Sequence, residues 1–254
     1  MGIYSAAKKP VVRINVLALL RIITILFYFL LINLLLISIC LLRPFHRNNV
    51  YTAAMLYSSV AKLLGLKLEL RVSENAKRGG PFVFIANHQN SYDLLTICAA
   101  TQKGTVIVGK KSLKWIPVFG WVYWLSGNIM IDRKHSGRAL GTLQGAVDKI
   151  RNKSLSVWFF PEGTRSYGRG LLPFKSGAFR IAESTNESMV TVCASNLHHK
   201  IKLNRWNNGS LLIDVGEPEA LDKNKSIKEN AEHFRQKMQN KIAQLDRELA
   251  QREG

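Results

Sequence analysis

The spacing of apolar positions changes at Gly65. Before it, Ile22 to Leu42 reads IITILFYFLLINLLLISICLL, 21 residues without a charge, bracketed by Arg21 and Arg43. As a helix this run is about 31 Å long, enough to cross a bilayer core of ~30 Å. Pro44 ends it, and Asn48 or Asn49 can cap a second helix in which Val50, Ala53, Leu56, Tyr57, Val60, Ala61 and Leu64 recur by threes and fours. Past Gly65, short apolar runs alternate with helical stretches, the pattern of an α/β domain. It predicts strands at Leu66–Arg71, Phe82–Ala86, Thr105–Val108, Ile129–Asp132, Leu155–Phe160, Met189–Ala194 and Leu211–Val215. Helices are expected near Tyr92–Ala100, Leu113–Leu125, Gly137–Arg151 and Gly177–Ser184. A last helix opens with Ser226 and Glu229 as a capping box and spaces Ile227, Ala231, Phe234, Met238, Ile242, Leu245 and Leu249 along one stripe, which predicts a helix docked on the sheet. The expected fold is α/β: a central mixed sheet flanked by helices over residues 65–254, preceded by N-terminal membrane-embedded helices over residues 1–64.

Charge changes this picture by pointing to a partner. Lys and Arg total 36 against 17 Asp and Glu, a formal net charge of +19 that favours polyanionic surfaces. Eight basic residues precede the first acidic one, Glu69, and surround the apolar run, so the partner expected is anionic lipid rather than nucleic acid. A signal peptide has an apolar region of only ~7–15 residues and a small-residue cleavage site, and neither fits here. Basic residues on both sides (Lys8, Lys9, Arg13 and Arg21, then Arg43, Arg47, Lys62 and Lys67) leave a single span and a hairpin entering one leaflet both open. Asn33, polar in the middle of the run, favours a hairpin in which a neighbouring helix meets it. Cys40, Cys98 and Cys193 are scattered, without CxxC or Cys/His spacing, so neither a disulfide framework nor a metal site is expected.

Three clusters of polar residues interrupt the apolar pattern. The first, Asn87-His88-Gln89-Asn90-Ser91-Tyr92-Asp93, directly follows the strand PFVFIA, where α/β sheets place their ligands. Residues five apart on one helix diverge by about 140°. The His88 and Asp93 side chains therefore meet only if His88 precedes the helix and Asp93 reaches back from its first turn. In that geometry Asp93 fixes the imidazole tautomer and leaves the other ring nitrogen to accept a hydroxyl proton. The second, Phe160-Pro161-Glu162-Gly163-Thr164-Arg165-Ser166, also ends a buried strand. Gly163 permits close backbone approach, Thr164 brings a hydroxyl and Arg165 a planar fork matched to phosphate, so this turn reads as an anion site. The third, Gly109-Lys110-Lys111 through Gly120 with Ile131-Asp132-Arg133 beyond, places Lys110 or Lys111 at a helix start, where either can join Arg165 around a phosphate.

In order, spacing and content these three clusters resemble three of the four sequence blocks of the glycerolipid acyltransferase family, and within it the bacterial 1-acyl-sn-glycerol-3-phosphate acyltransferases. The fourth block corresponds to Met189-Val190-Thr191-Val192-Cys193, with Thr191 at the place of the family's proline. The resemblance implies a single catalytic domain that transfers a fatty acyl group from acyl-CoA or acyl-acyl carrier protein, as co-substrate, to the 2-hydroxyl of lysophosphatidic acid, without further cofactor or metal. It implies His88 as general base and Asp93 as its orienter, with Arg165, Gly163, Thr164 and Lys110 or Lys111 holding the phosphate. Asn87, Asp132 and Arg133 support the motifs, and Glu162 is expected to position Arg165 or to cap the turn. The implied location is the bacterial inner membrane, with the catalytic domain on its cytoplasmic face.

Overall fold

The computed structural model describes residues 15–131 and 136–253, so Asp132 and Arg133 lie outside the described residues. Seven α-helices are described: α1 (Val16–Leu42), α2 (Asn49–Leu63), α3 (Glu74–Lys77), α4 (Phe119–Leu125), α5 (Ser136–Lys153), α6 (Gly177–Thr185) and α7 (Ile227–Glu253). Seven strands form one sheet: β1 (Lys67–Val72), β2 (Val83–Ala86), β3 (Thr105–Lys110), β4 (Ile129–Ile131), β5 (Ser156–Phe159), β6 (Met189–Ala194) and β7 (Ser210–Val215). Every predicted strand is present, with ends displaced by at most two residues.

The spatial order is β1-β7-β6-β2-β5-β3-β4. All neighbours are parallel except β6 and β7, so the sheet is mixed, as expected. The central strands β2, β5 and β6 are buried at every residue, because helices cover both faces. Alternation along β2 divides the core. Val83 and Ile85 join Phe159, Phe179, Phe234 and Met238 on the face covered by α6 and α7. Phe84 and Ala86 join Trp158, Val190 and Val192 on the other. The stripe predicted for the last helix is therefore a docking stripe.

A third cluster joins the N-terminal helices to the domain through Leu36, Tyr57, Val60, Phe119 and Val122. α1 and α2 run antiparallel, with Tyr28 opposite Ser59 and Asn33 opposite Tyr57. The Tyr57 hydroxyl donates to the Asn33 side-chain oxygen at 2.9 Å, the interhelical partner expected for that residue. α1 begins six residues before the uncharged run, capped by the Asn15 side chain, and so encloses Arg21. That guanidinium is buried and donates to the backbone carbonyls of Leu203, Arg205 and Trp206. Just past the other end of α1, the Phe45 N–H donates to the Leu125 carbonyl at 2.9 Å and Arg47 donates to the Ser154 carbonyl at 3.3 Å. α1, about 40 Å long, is thus tied to the α/β domain near both ends. Among the described residues it is the one helix long and apolar enough to cross a membrane. Its outward side exposes Leu19, Ile23, Leu26, Phe27, Leu30 and Leu34.

Two predicted helices are broken. Tyr92–Ala100 forms two 3₁₀ turns, Ser91–Leu95 and Ile97–Ala100, because Thr96 leaves helical geometry at φ −130°, ψ −81°. Leu113–Leu125 divides into a 3₁₀ turn, Lys111–Trp115, and α4. Between them the Phe119 N–H donates to the Pro117 carbonyl at 2.7 Å, closing a γ-turn on Val118 at φ 64°. A β-branched residue at positive φ is strained, by about 1–3 kcal/mol.

Candidate active site

The site lies at the C-terminal ends of β2, β5 and β6. Asn87 continues β2 beside β6: its side chain donates to the Ala194 carbonyl at 3.0 Å and accepts from the Ala194 N–H at 2.9 Å. Gln89 repeats this bridge further out, donating to the Ser195 carbonyl and accepting from the Leu197 N–H, each at 2.7 Å. Between these two buried amides the backbone presents His88. Asn90 caps the following 3₁₀ turn, which returns Asp93 towards the strand end. His88 Nδ1 lies 2.5 Å from Asp93 Oδ2. The same oxygen accepts from the Gln89 N–H at 2.7 Å and the Asn90 N–H at 3.2 Å. Asp93 thus reaches back from a first turn that His88 precedes, the arrangement the spacing required.

The Asp93 side chain is 5% exposed and that of His88 20%, so the carboxylate is sealed behind a ring that reaches solvent. A carboxylate accepting at Nδ1 places the proton there and leaves Nε2 as the acceptor nitrogen. The Phe160 ring stacks on the imidazole at 4.2 Å between centroids and 25° between planes, holding its remaining torsion. Neither the Phe160 stack nor the Gln89 brace was expected from sequence. The first follows from Phe160 directly succeeding β5, the strand beside β2, a neighbour relation set by the sheet order.

Glu162 does not contact Arg165 through its carboxylate. It is buried and accepts from the His88 N–H at 2.7 Å and the Leu172 N–H at 3.0 Å, joining the loops after β2 and β5. Burial pushes its carboxyl above the usual carboxylate range, against the pull of the two donors. The Ser166 and Tyr167 N–H groups donate to the carbonyls of His88 and Gln89 at 2.8 and 2.9 Å, fastening the same loops a second time.

Between these fasteners, Gly163, at φ 69°, turns the chain outward. Thr164 is exposed and Arg165 half-buried, its guanidinium 3.3 Å from the Tyr167 hydroxyl. Lys110 and Lys111 are exposed at the C-terminal end of β3, the strand beside β5. The sheet therefore sets His88, Arg165, Lys110 and Lys111 just at or beyond the C-terminal ends of the neighbouring parallel strands β2, β5 and β3. Thr191 lies within β6 in register with Ile85, inside the sheet rather than among these groups. Among the described residues, no cluster of three or more His, Cys, Asp or Glu could hold a metal ion.

Residues 67–195, from β1 through β6 and including all of these groups, match the sequence model of the family described as Acyltransferase. The chain belongs to the acyltransferase family. It is 44% identical over 217 residues to 1-acyl-sn-glycerol-3-phosphate acyltransferase of Escherichia coli K12, covering 85% of this chain and 89% of that one. The protein of the same name from Saccharomyces cerevisiae is 33% identical over 207 residues, covering 79% and 68%. In fold the acyltransferase is similar to the crystal structure of 1-acyl-sn-glycerophosphate acyltransferase from Thermotoga maritima. The TM-score is 0.65 over 93% of this chain and 98% of that one, at 22% identity. The expected family and enzyme class, and the mixed α/β fold, are those found.

Proposed function

We propose that this acyltransferase esterifies the 2-hydroxyl of 1-acyl-sn-glycerol 3-phosphate with a fatty acyl group from acyl-CoA or acyl-acyl carrier protein, forming phosphatidic acid for phospholipid synthesis. The observation that carries the reading is the His88–Asp93 pair, locked at the end of β2 on the edge that also bears Arg165. The relatives bearing that activity in their names add to it.

His88 Nε2 takes the proton from the lysolipid hydroxyl as its oxygen attacks the thioester carbonyl. Asp93 holds the tautomer and stabilises the imidazolium that forms. The new carbon–oxygen bond closes as the carbon–sulfur bond breaks, and the imidazolium returns its proton to the departing thiolate. A thioester is already activated, so no acyl-enzyme, cofactor or metal enters this scheme. Arg165 pairs with the lysolipid phosphate through its fork, with the backbone at Gly163, the Thr164 hydroxyl and Lys110 or Lys111 around it.

Residues 1–64 serve as the membrane anchor and residues 65–254 as the catalytic domain, on the cytoplasmic face of a bacterial inner membrane. Because α1 is tied to the catalytic domain near both ends, we read it as entering one leaflet rather than crossing. The test of the reaction is to offer the purified full chain a panel of lysolipid acceptors with labelled acyl thioester. The reading requires label in phosphatidic acid ahead of every other product. Preference for a lysophospholipid with a substituted phosphate would overturn it.

A further inference from the structure

The loop between β6 and β7 has a feature that acyl transfer does not use. Residues 195–209 contain Lys200, Lys202 and Arg205, together with His198 and His199, and no acidic residue. The loop is held firmly. Asn208, buried, donates to the carbonyls of Leu64 and Lys202 and accepts from the Lys202 N–H. Arg21 of α1 gathers the carbonyls of Leu203, Arg205 and Trp206, and its guanidinium carbon lies 5.9 Å from the centre of the Trp206 ring. Despite this fixing, Trp206 is 78% exposed, and the side chains of Lys202 and Arg205 are exposed beside it. The backbone of this loop is fixed while the indole leaves its apolar surface open to water, the disposition of a side chain that can serve a partner on its open side.

We propose that Lys202, Arg205 and Trp206 form a second membrane contact, which recognises the headgroup layer of anionic phospholipid. Continuity selects this occupant. One of the residues that fix the loop, Arg21, belongs to α1, whose Leu19, Leu20 and Ile23, on either side of Arg21 in sequence, are exposed. An indole with adjacent cations at the edge of an apolar helix is the composition of a membrane–water boundary. The exposed positive charge of Lys202 and Arg205 complements the negative surface of the leaflet. The loop's other end carries the Ser195 carbonyl and Leu197 N–H that brace Gln89 next to His88. Lipid contact at Trp206 and the position of the catalytic loop therefore share one short, ordered segment.

The inference rests on the membrane reading of α1, and the experiment separates the two. Cys40, Cys98 and Cys193 are buried, so an introduced cysteine can be labelled selectively with an environment-sensitive fluorophore. The full chain carrying Trp206→Cys, Leu26→Cys or Asn224→Cys is reconstituted in vesicles of phosphatidylcholine with or without phosphatidylglycerol. Asn224 is exposed in the β7–α7 connection and reports water, whereas Leu26 reports insertion of α1. We expect the label at 206 to be quenched by shallow lipid spin labels and shielded from aqueous iodide about twofold or more relative to 224 when phosphatidylglycerol is present. The paired change Lys202→Glu and Arg205→Glu should abolish the phosphatidylglycerol dependence while the label at 26 stays in lipid. A label at 206 as open to iodide as that at 224, with 26 in lipid, overturns the second contact and leaves α1 as the anchor. Iodide access at 26 as well overturns both.

Discussion

The two halves of the active-site edge are built differently. Around His88 every polar partner is internal: Asp93 Oδ2 receives three donors, Glu162 spans two loops, and Asn87 and Gln89 bracket the histidine from β6. Around Arg165 the groups are more open, with Thr164, Lys110 and Lys111 exposed and, among the described residues, the guanidinium hydrogen-bonded to the neighbouring Tyr167 hydroxyl. The proposed base is thus organised before substrate arrives, while the proposed phosphate site is left for an anion to organise. In that scheme a proton-transfer group gains from fixed geometry in the transition state, whereas a phosphate pocket must admit and release a charged lipid.

The sharpest way to break this comparison is at the imidazole. His88→Ala should lower kcat by about two to four orders of magnitude with the fold intact. Asp93→Asn should be nearly as severe, since an amide stabilises the wrong tautomer. Because the pair acts as a unit, the double variant should be little worse than His88→Ala alone. Initial rates at saturating thioester and lysophosphatidate decide it, and near-normal turnover in folded His88→Ala protein would end the general-base proposal.

On the cationic half, Arg165→Ala should act mainly on the lysolipid KM, losing about 2–3 kcal/mol in kcat/KM, as expected for a hydrogen-bonded charge. Lysine at this position should restore only part, since it lacks the fork. A variant with normal lysolipid KM and a raised thioester KM would move Arg165 to the donor side.

Glu162 tests whether the first half is braced as drawn. Glu162→Gln sets an amide donor against either the His88 or the Leu172 N–H, and should lower stability at neutral pH by about 1–2 kcal/mol and reduce kcat more than it raises KM. Its pH signature has a definite sign. Burial raises this carboxyl above 4.5 in the folded chain, so the fold binds the proton more tightly than the unfolded chain does. The contribution from this group is fully present below pH 4.5, declines as pH rises through the raised value, and then levels. The glutamine variant should lack that decline in denaturation midpoints measured in detergent. The smallest effects belong to Lys110→Ala and Lys111→Ala, each below about 1 kcal/mol in kcat/KM because an exposed ammonium is well solvated. A loss as large as that of Arg165→Ala from either would show that this half is organised too.

Local pattern made the strands, the docked α7 and the His88–Asp93 encounter legible, because each depends on spacing within a few residues. Five-residue geometry lets the His88 and Asp93 side chains meet only if Asp93 reaches back. What spacing could not reveal was adjacency. Phe160 stacks on His88 because β5 lies beside β2, and Gln89 finds Ser195 because β6 lies on the other side; both relations join residues about seventy or more apart in sequence. The two broken helices also escaped, since Thr96 and Val118 leave helical geometry where no glycine signals a stop, with only Pro117 to hint at the second.

The link from Arg21 to Leu203 and Trp206 has a consequence for the order in which the protein is made. At roughly 5–20 residues per second, a ribosome needs about ten to forty seconds after making Arg21 to reach Trp206. Throughout that interval the guanidinium sits in an apolar helix without the three carbonyls that later receive it. On the proposed membrane reading of α1, the lipid interface holds it meanwhile, with the long side chain drawn up to the headgroups. Biosynthesis on that reading begins with a helix parked at the membrane surface, which is clasped only once the chain has emerged past Trp206.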